Sequence, residues 1–138
     1  MTAWSHTAIT AAVPAVAATG DVVVTSDSRT ANGEEFVVDN LSPSQSNHSP
    51  TDGSAINTAS PTVTLLLDQV GVCRWSLVNQ AYSAMPPANE CDGAGTMNIS
   101  CDVSGLPEGT SNVYIGCSDY CSNSAVEELE YTVDTQAP

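Results

Sequence analysis

The positions of the cysteines constrain this chain more than any other feature. All five, Cys73, Cys91, Cys101, Cys117 and Cys121, fall in the second half of the 138 residues. That density points to an oxidising compartment and a disulfide framework. A zinc site would need close ligand pairs. The chain has one CxxxC, Cys117 to Cys121, with no second pair, and His6 and His48 lie far from it in sequence. Disulfides are therefore expected, in a stapled second region that follows an unstapled first one.

Three of the cysteines also belong to stretches with a period of two. Cys73 and Trp75 share a face, with Arg74 on the other. Met97, Ile99, Cys101 and Val103 alternate with Asn98, Ser100 and Asp102, and Val113, Ile115 and Cys117 align in the same way. Val63, Leu65 and Leu67 share one face of an earlier strand. Leu129, Tyr131 and Val133 alternate with Glu128, Glu130 and Thr132 in the last one. Half-buried strands have this period, and helical periodicity is absent. Short strands at this spacing, with a turn at Leu106-Pro107-Glu108-Gly109, predict a small antiparallel β-sandwich over residues 61–138.

By alternation Cys73 and Cys117 both point inward, on strands expected to face each other across the sandwich. A bridge between them closes a loop worth about 3–4 kcal/mol in the chain-entropy account. Cys91 and Cys101 flank the turn-rich Asp92-Gly93-Ala94-Gly95, which suits a local bridge. Cys121 is then the odd thiol. It is read as free, as an intermolecular link, or as a substitute for Cys91 or Cys101.

Residues 40–60 are rich in Ser, Asn, Pro and Thr without periodicity, and read as a flexible linker spanning roughly 25 Å. Residues 1–39 hold about three strand signals, too few to close a sandwich alone. Ile9, Ala11 and Val13 alternate, a valine-rich run follows Gly20, and Asn32-Gly33 predicts the turn before Phe36-Val37-Val38. Residues 8–18 have the small apolar character of a signal-peptide core. No Lys or Arg precedes them, however, and Pro14 interrupts them, so they read as a strand-containing segment. No stretch approaches the ~20 apolar residues of a membrane span.

Two resemblances cover most of the chain. Residues 3–38 resemble the C-terminal half of an IPT/TIG domain, an immunoglobulin-like module of microbial surface proteins. The likeness rests on Trp4-Ser5, Val13-Pro14, Thr19-Gly20 before the valines, and Asn32-Gly33 before Phe36. The family's Gly-rich first strands have no counterpart here. Residues 61–138 resemble repeated bacterial immunoglobulin-like, fibronectin-III-like surface modules. Here the matching residues are Cys73-Arg74-Trp75-Ser76, Gly105-Leu106 with Gly109, Tyr114-Ile115-Gly116-Cys117-Ser118-Asp119 and the closing Tyr131-Thr132-Val133-Asp134-Thr135-Gln136-Ala137-Pro138. Cys121, where such modules more often carry Gly, and the Cys91/Cys101 pair depart from the pattern. The fold class implied is all-β: a small antiparallel immunoglobulin-like sandwich plus an incomplete, half sandwich. The role implied is that of a spacer, adhesion or ligand-presenting segment at the cell surface.

Charge narrows the partners. Sixteen acidic residues face two basic ones, Arg29 and Arg74, for a formal net charge of −14. Nucleic acid and anionic membrane surfaces are repelled by such a chain. Carboxylates of this number either solvate an extracellular surface or collect divalent cations. The one candidate cation site is for calcium, from Asp119 and Asn123 in the loop after Cys117, Asp134 at the module junction and Asp68 beyond the first strand. No other cofactor is called for.

Nothing supports catalysis, so no catalytic residue is assigned and the chain is read as not an enzyme. A Ser-His-Asp triad would have to draw on His6 or His48, and no Gly-rich phosphate loop exists. Trp75 is expected against the disulfide, Tyr114 as a tyrosine corner, Trp4 as an interface residue, and Glu127-Glu128-Leu129-Glu130 as a solvated strand face. Asn40, Asn47 and Asn98 begin Asn-x-Ser sequons. The expected role is a non-enzymatic extracellular structural or adhesive module of a cell-surface or filament protein, with neighbouring modules or subunits as partners. Its first module would be completed by β-strand addition. The alternative is a carbohydrate-binding accessory module of a secreted enzyme, with a surface glycan as ligand.

Overall fold

Period-two patterning produces an all-β protein. The structure, a computed structural model, describes residues 12–136. The chain divides into two compact units, Met1–Asp39 and Asn40–Pro138.

In the first unit, β1 (Gly20–Val22) pairs antiparallel with β4 (Glu34–Phe36). Nested between them, β2 (Thr25–Ser26) pairs with β3 (Arg29–Thr30). The result is one interrupted hairpin. Its reversal falls at Asp27-Ser28, whose φ values of 48° and 66° match the two left-handed positions of a type I′ turn. The expectation of a turn at Asn32-Gly33 is therefore corrected. That pair lies on the returning arm, where Gly33 is needed for close approach: a Cβ there would stand 2.8 Å from the Asp21 side chain. Short polar Asp and Ser accept the αL conformation well enough for the ribbon to reverse without Asn-Gly. Of the segment expected as a strand around Pro14, Ile9 and Ala11 lie outside the described residues. From Ala12 onward it is not a strand but contains a turn, with the Ala17 N–H donating to Pro14 O at 3.0 Å.

The second unit is a single sheet of six strands, ordered β5-β7-β9-β10-β6 with β8 also on β7. The strands are β5 (Gln45–Ser49), β6 (Ala55–Ile56), β7 (Thr62–Ser76), β8 (Thr96–Asp102), β9 (Gly109–Ser118) and β10 (Ser124–Val133). The two strands expected around Val63–Leu67 and Cys73–Trp75 are one long strand, β7. Its first half pairs with β5 and β8, and its second half pairs with β9. The change of partner comes at Gly71, where a Cβ would sit 2.9 Å from Ser118 O. A register shift between Leu66 and Gly71 accompanies it. Bulges and glycine bend strands in this way. Val63, Leu65, Leu67, Ile99 and Cys101 of one layer thus share a core with Val113, Ile115, Leu129, Tyr131 and Val133 of the other.

The reading of residues 40–60 as a linker is corrected. Gln45 and Ser46 pair with Leu67 and Leu66, and β6 runs parallel to the end of β10. The buried Gln45 side chain donates through Nε2 to Ile115 O at 2.7 Å, crossing between the layers. The segment is held by main-chain pairing and turns: the Gly53 N–H donates to Glu130 O, the Glu130 N–H to Asp52 Oδ1, and the Tyr131 hydroxyl to Pro50 O. Such bonds need no apolar periodicity, so composition conceals them.

Candidate functional site

Both bridges are present, and their geometry reverses the roles expected of them. Cys73 and Cys117 are joined, with Cα atoms 4.1 Å apart. They are direct register partners on adjacent antiparallel strands, so this bridge lies within one layer rather than across the sandwich. Cys91 and Cys101 are joined as well. Cys101 belongs to the β7–β8 layer, whereas Cys91 lies against the second half of β7, its N–H donating to Cys73 O at 2.9 Å. The short-range bridge thus reinforces a link between the layers that the Asp92–Ser100 main-chain pair also makes. Trp75, on the Cys73 face, packs half-buried against this core.

The segment between β7 and Cys91 covers the outer side of the second layer. It carries two 3-10 turns, Tyr82–Ala84 and Pro87–Asn89. Gly116 leaves room for Met85, which is 1% exposed and would meet a Cβ there at 3.0 Å. Arg74, the lone Lys or Arg of the second unit, stacks its guanidinium 4.9 Å from the centre of the Tyr82 ring. Glu90 lies 3.9 Å away. Cation–π stacking, worth about 0.5–1 kcal/mol, clamps this segment, with a weaker contribution from the partly exposed ion pair.

The four proposed calcium ligands do not converge. Asp119 and Asn123 lie in the loop before β10, and Asp134 follows its far end. Ten extended residues separate these points by roughly 30 Å. Asp68 instead caps the start of the second unit, accepting the Ser44 N–H at 2.9 Å. Among the described residues, no three His, Cys, Asp or Glu side chains stand close enough to share a metal ion.

Asp119 has a structural occupation of its own. Its Oδ1 accepts the N–H groups of Cys121 and Asn123, and its Oδ2 accepts the Asn123 side-chain amide. This is an Asx-type loop closure, and Ser122 takes a φ of 71° within it. Burial works against the charge, but the Asn123 amide and the backbone donors outweigh it. They hold the carboxyl below its ordinary 3.8. A depressed carboxylate stabilises the fold above the unfolded value, and that contribution is lost as pH falls below 3.8. In acid titration followed by thermal melting, D119N is expected to flatten the dependence of Tm on pH below about pH 4. The Asp-x-x-x-Asn spacing was the available sequence signal.

Cys121, in the same loop, is exposed and outside both disulfides. The Glu-rich strand face is more engaged than expected. Glu127 stands 3.6 Å from His48 Nε2, and Glu128 accepts both the Asn112 amide and the Tyr114 hydroxyl. Tyr114 is therefore not a tyrosine corner. The phenol that closes back onto main chain is that of Tyr131, which the sequence pattern marked as core alone. A shallow groove beside Tyr114 is lined by Leu77, Pro107, Asn112 and Glu130. Trp4 and His6 lie outside the described residues.

No family model matches the chain, and no curated protein matches it. Among solved structures, CopC from Methylosinus trichosporium OB3b is similar at a TM-score of 0.46 and 16% identity, over 67% of this chain and 93% of that one.

Proposed function

We propose that this chain is a non-enzymatic structural and adhesive segment of an extracellular cell-surface or filament protein. Its first unit is completed by a strand from another module or subunit. The carrying observation is the contrast between the two units. The second is closed around a buried core with two disulfides. Among the described residues of the first, Val22, Val23, Val24, Phe36 and Val37 are 55%, 47%, 45%, 40% and 62% exposed on a two-stranded ribbon. An isolated hairpin is marginal in water, and exposed apolar strand edges invite pairing. β-strand addition would supply backbone partners and apolar cover to the described part of this ribbon. The disulfides support secretion into an oxidising space.

Light scattering over a concentration series tests this. Assemblies that grow with concentration are expected, and V22D/F36D is expected to return the protein to monomer with both disulfides intact. A monodisperse monomer whose first unit resists proteolysis would sink the proposal.

A further inference from the structure

Three sequons are present, and the fold treats them differently. Asn40, Asn47 and Asn98 are all exposed. Ser42 and Ser49, the hydroxyl residues of the first two, each precede a proline, Pro43 and Pro50. Proline confines the residue before it to extended backbone. The restriction holds in the unfolded chain too and opposes folding the hydroxyl back over the asparagine amide there, whereas Ser100 is extended only once β8 has formed. Ser42 Oγ is also committed to Ser124 O. Ser100, the hydroxyl residue of the third sequon, precedes Cys101 instead.

Asn98 is also placed to carry a bulky group without disturbing the sheet. It pairs with Leu66, and its main-chain N–H and C=O both meet the Thr96 hydroxyl. On its outer side the 92–95 loop packs so closely that a Cβ on Gly93 would stand 2.0 Å from Asn98 O. The backbone of this position is therefore closed to another strand while its side chain faces outward. Asn98 and Ser100, two residues apart, share that face. Beside them runs a shallow groove lined by Asn47, Thr64, Leu66 and Ser100, in which Leu66 remains 37% exposed. Hydroxyls and amides around an apolar floor suit the polar rim and apolar face of a pyranose.

We propose that Asn98 is an N-glycosylation site, with the sugar nearest the protein seated on the outer face of β7 and β8, and that Asn40 and Asn47 stay bare. The co-substrate is a lipid-phosphate-linked oligosaccharide. The Asn98 Nδ2 bonds to sugar C1, the C1–O bond to phosphate breaks, and the lipid phosphate leaves with the bonding electron pair. The amide gives up one proton to base, and no oxidation occurs. The glycan covers Leu66 on the outer face of the sheet.

The test uses protein isolated from the cells that make it, reduced, alkylated and cleaved at glutamate. Fragment 91–108 is expected to carry a carbohydrate mass, and fragment 36–90, which holds Asn40 and Asn47, to show its bare mass. N98Q and S100A, each with both disulfides intact, are expected to lose the addition completely. S100A keeps the asparagine and so separates sequon chemistry from adventitious modification. A bare 91–108 fragment, an addition on 36–90 instead, or an addition that survives S100A would overturn the proposal.

Discussion

Replacing Cys73 and Cys117 together with alanine is expected to lower the unfolding free energy by about 4 kcal/mol, the loop-closure value for their separation of 44 residues. For a domain of this size that is a Tm loss of roughly 15–25 °C. It is also a large share of the ~5–15 kcal/mol on which a domain rests. The pair C91A/C101A closes a loop of only 10 residues, and the same account gives about 2.7 kcal/mol. The geometry creates a tension with that ranking. Cys73 and Cys117 already sit opposite each other in a hydrogen-bonded ladder, so their strands stay registered without the bridge. The Cys91–Cys101 bridge instead pins the segment after β7 to β8, next to the single main-chain pair Asp92–Ser100 that also links them. Calorimetry on the two double variants decides the matter. If C91A/C101A melts lower than C73A/C117A, layer pinning in the folded state outweighs loop entropy in the unfolded one.

The strands of the second unit were legible because their side chains must alternate between core and solvent. Ile99, Cys101 and Val103 are buried, as their period required, and so are Leu129, Tyr131 and Val133, whereas Met97, on the same face at the start of β8, is exposed. Three things were not legible. Merging Val63–Leu67 with Cys73–Trp75 into one strand depends on Gly71 tolerating Ser118 O at its Cα, a contact made by residues 47 positions away. The β5 and β6 strands escape notice because Gln45-Ser46-Asn47-His48-Ser49 earns its place by backbone pairing and one buried amide. Alternation cannot show which cysteine bridge crosses the layers. Inward-pointing residues of neighbouring strands and of facing strands have the same period. At the candidate site, Asp119 and Asn123 meet through hydrogen bonds that close their own loop, but carboxylates at opposite ends of β10 cannot meet, and only the strand register reveals that distance.

Tyr131 concentrates the other large effect. It is fully buried on β10, and its hydroxyl donates to Pro50 O at 2.9 Å. One side chain thus fills the core and anchors the segment leading to β6. Y131A is expected to cost about 3–5 kcal/mol through lost transfer energy and the cavity left behind. Y131F removes only the hydroxyl, and the expected cost is about 1 kcal/mol. Its distinguishing signature is alkaline. Burial, reinforced by the Asp52 carboxylate, pushes the phenol from 10.0 up to about 12. The folded state therefore keeps a proton that the unfolded state releases. The stabilisation is fully present below pH 10 and is lost as pH rises through about 12. Denaturant unfolding between pH 9 and about pH 12 is expected to show a fall in stability that Y131F reduces. Limited proteolysis of Y131F is expected to cut first between Pro50 and Ile56, where the anchor is gone. An unchanged alkaline slope in Y131F would mean that the phenol reaches solvent and that packing, not the bond to Pro50, holds that segment in the sheet.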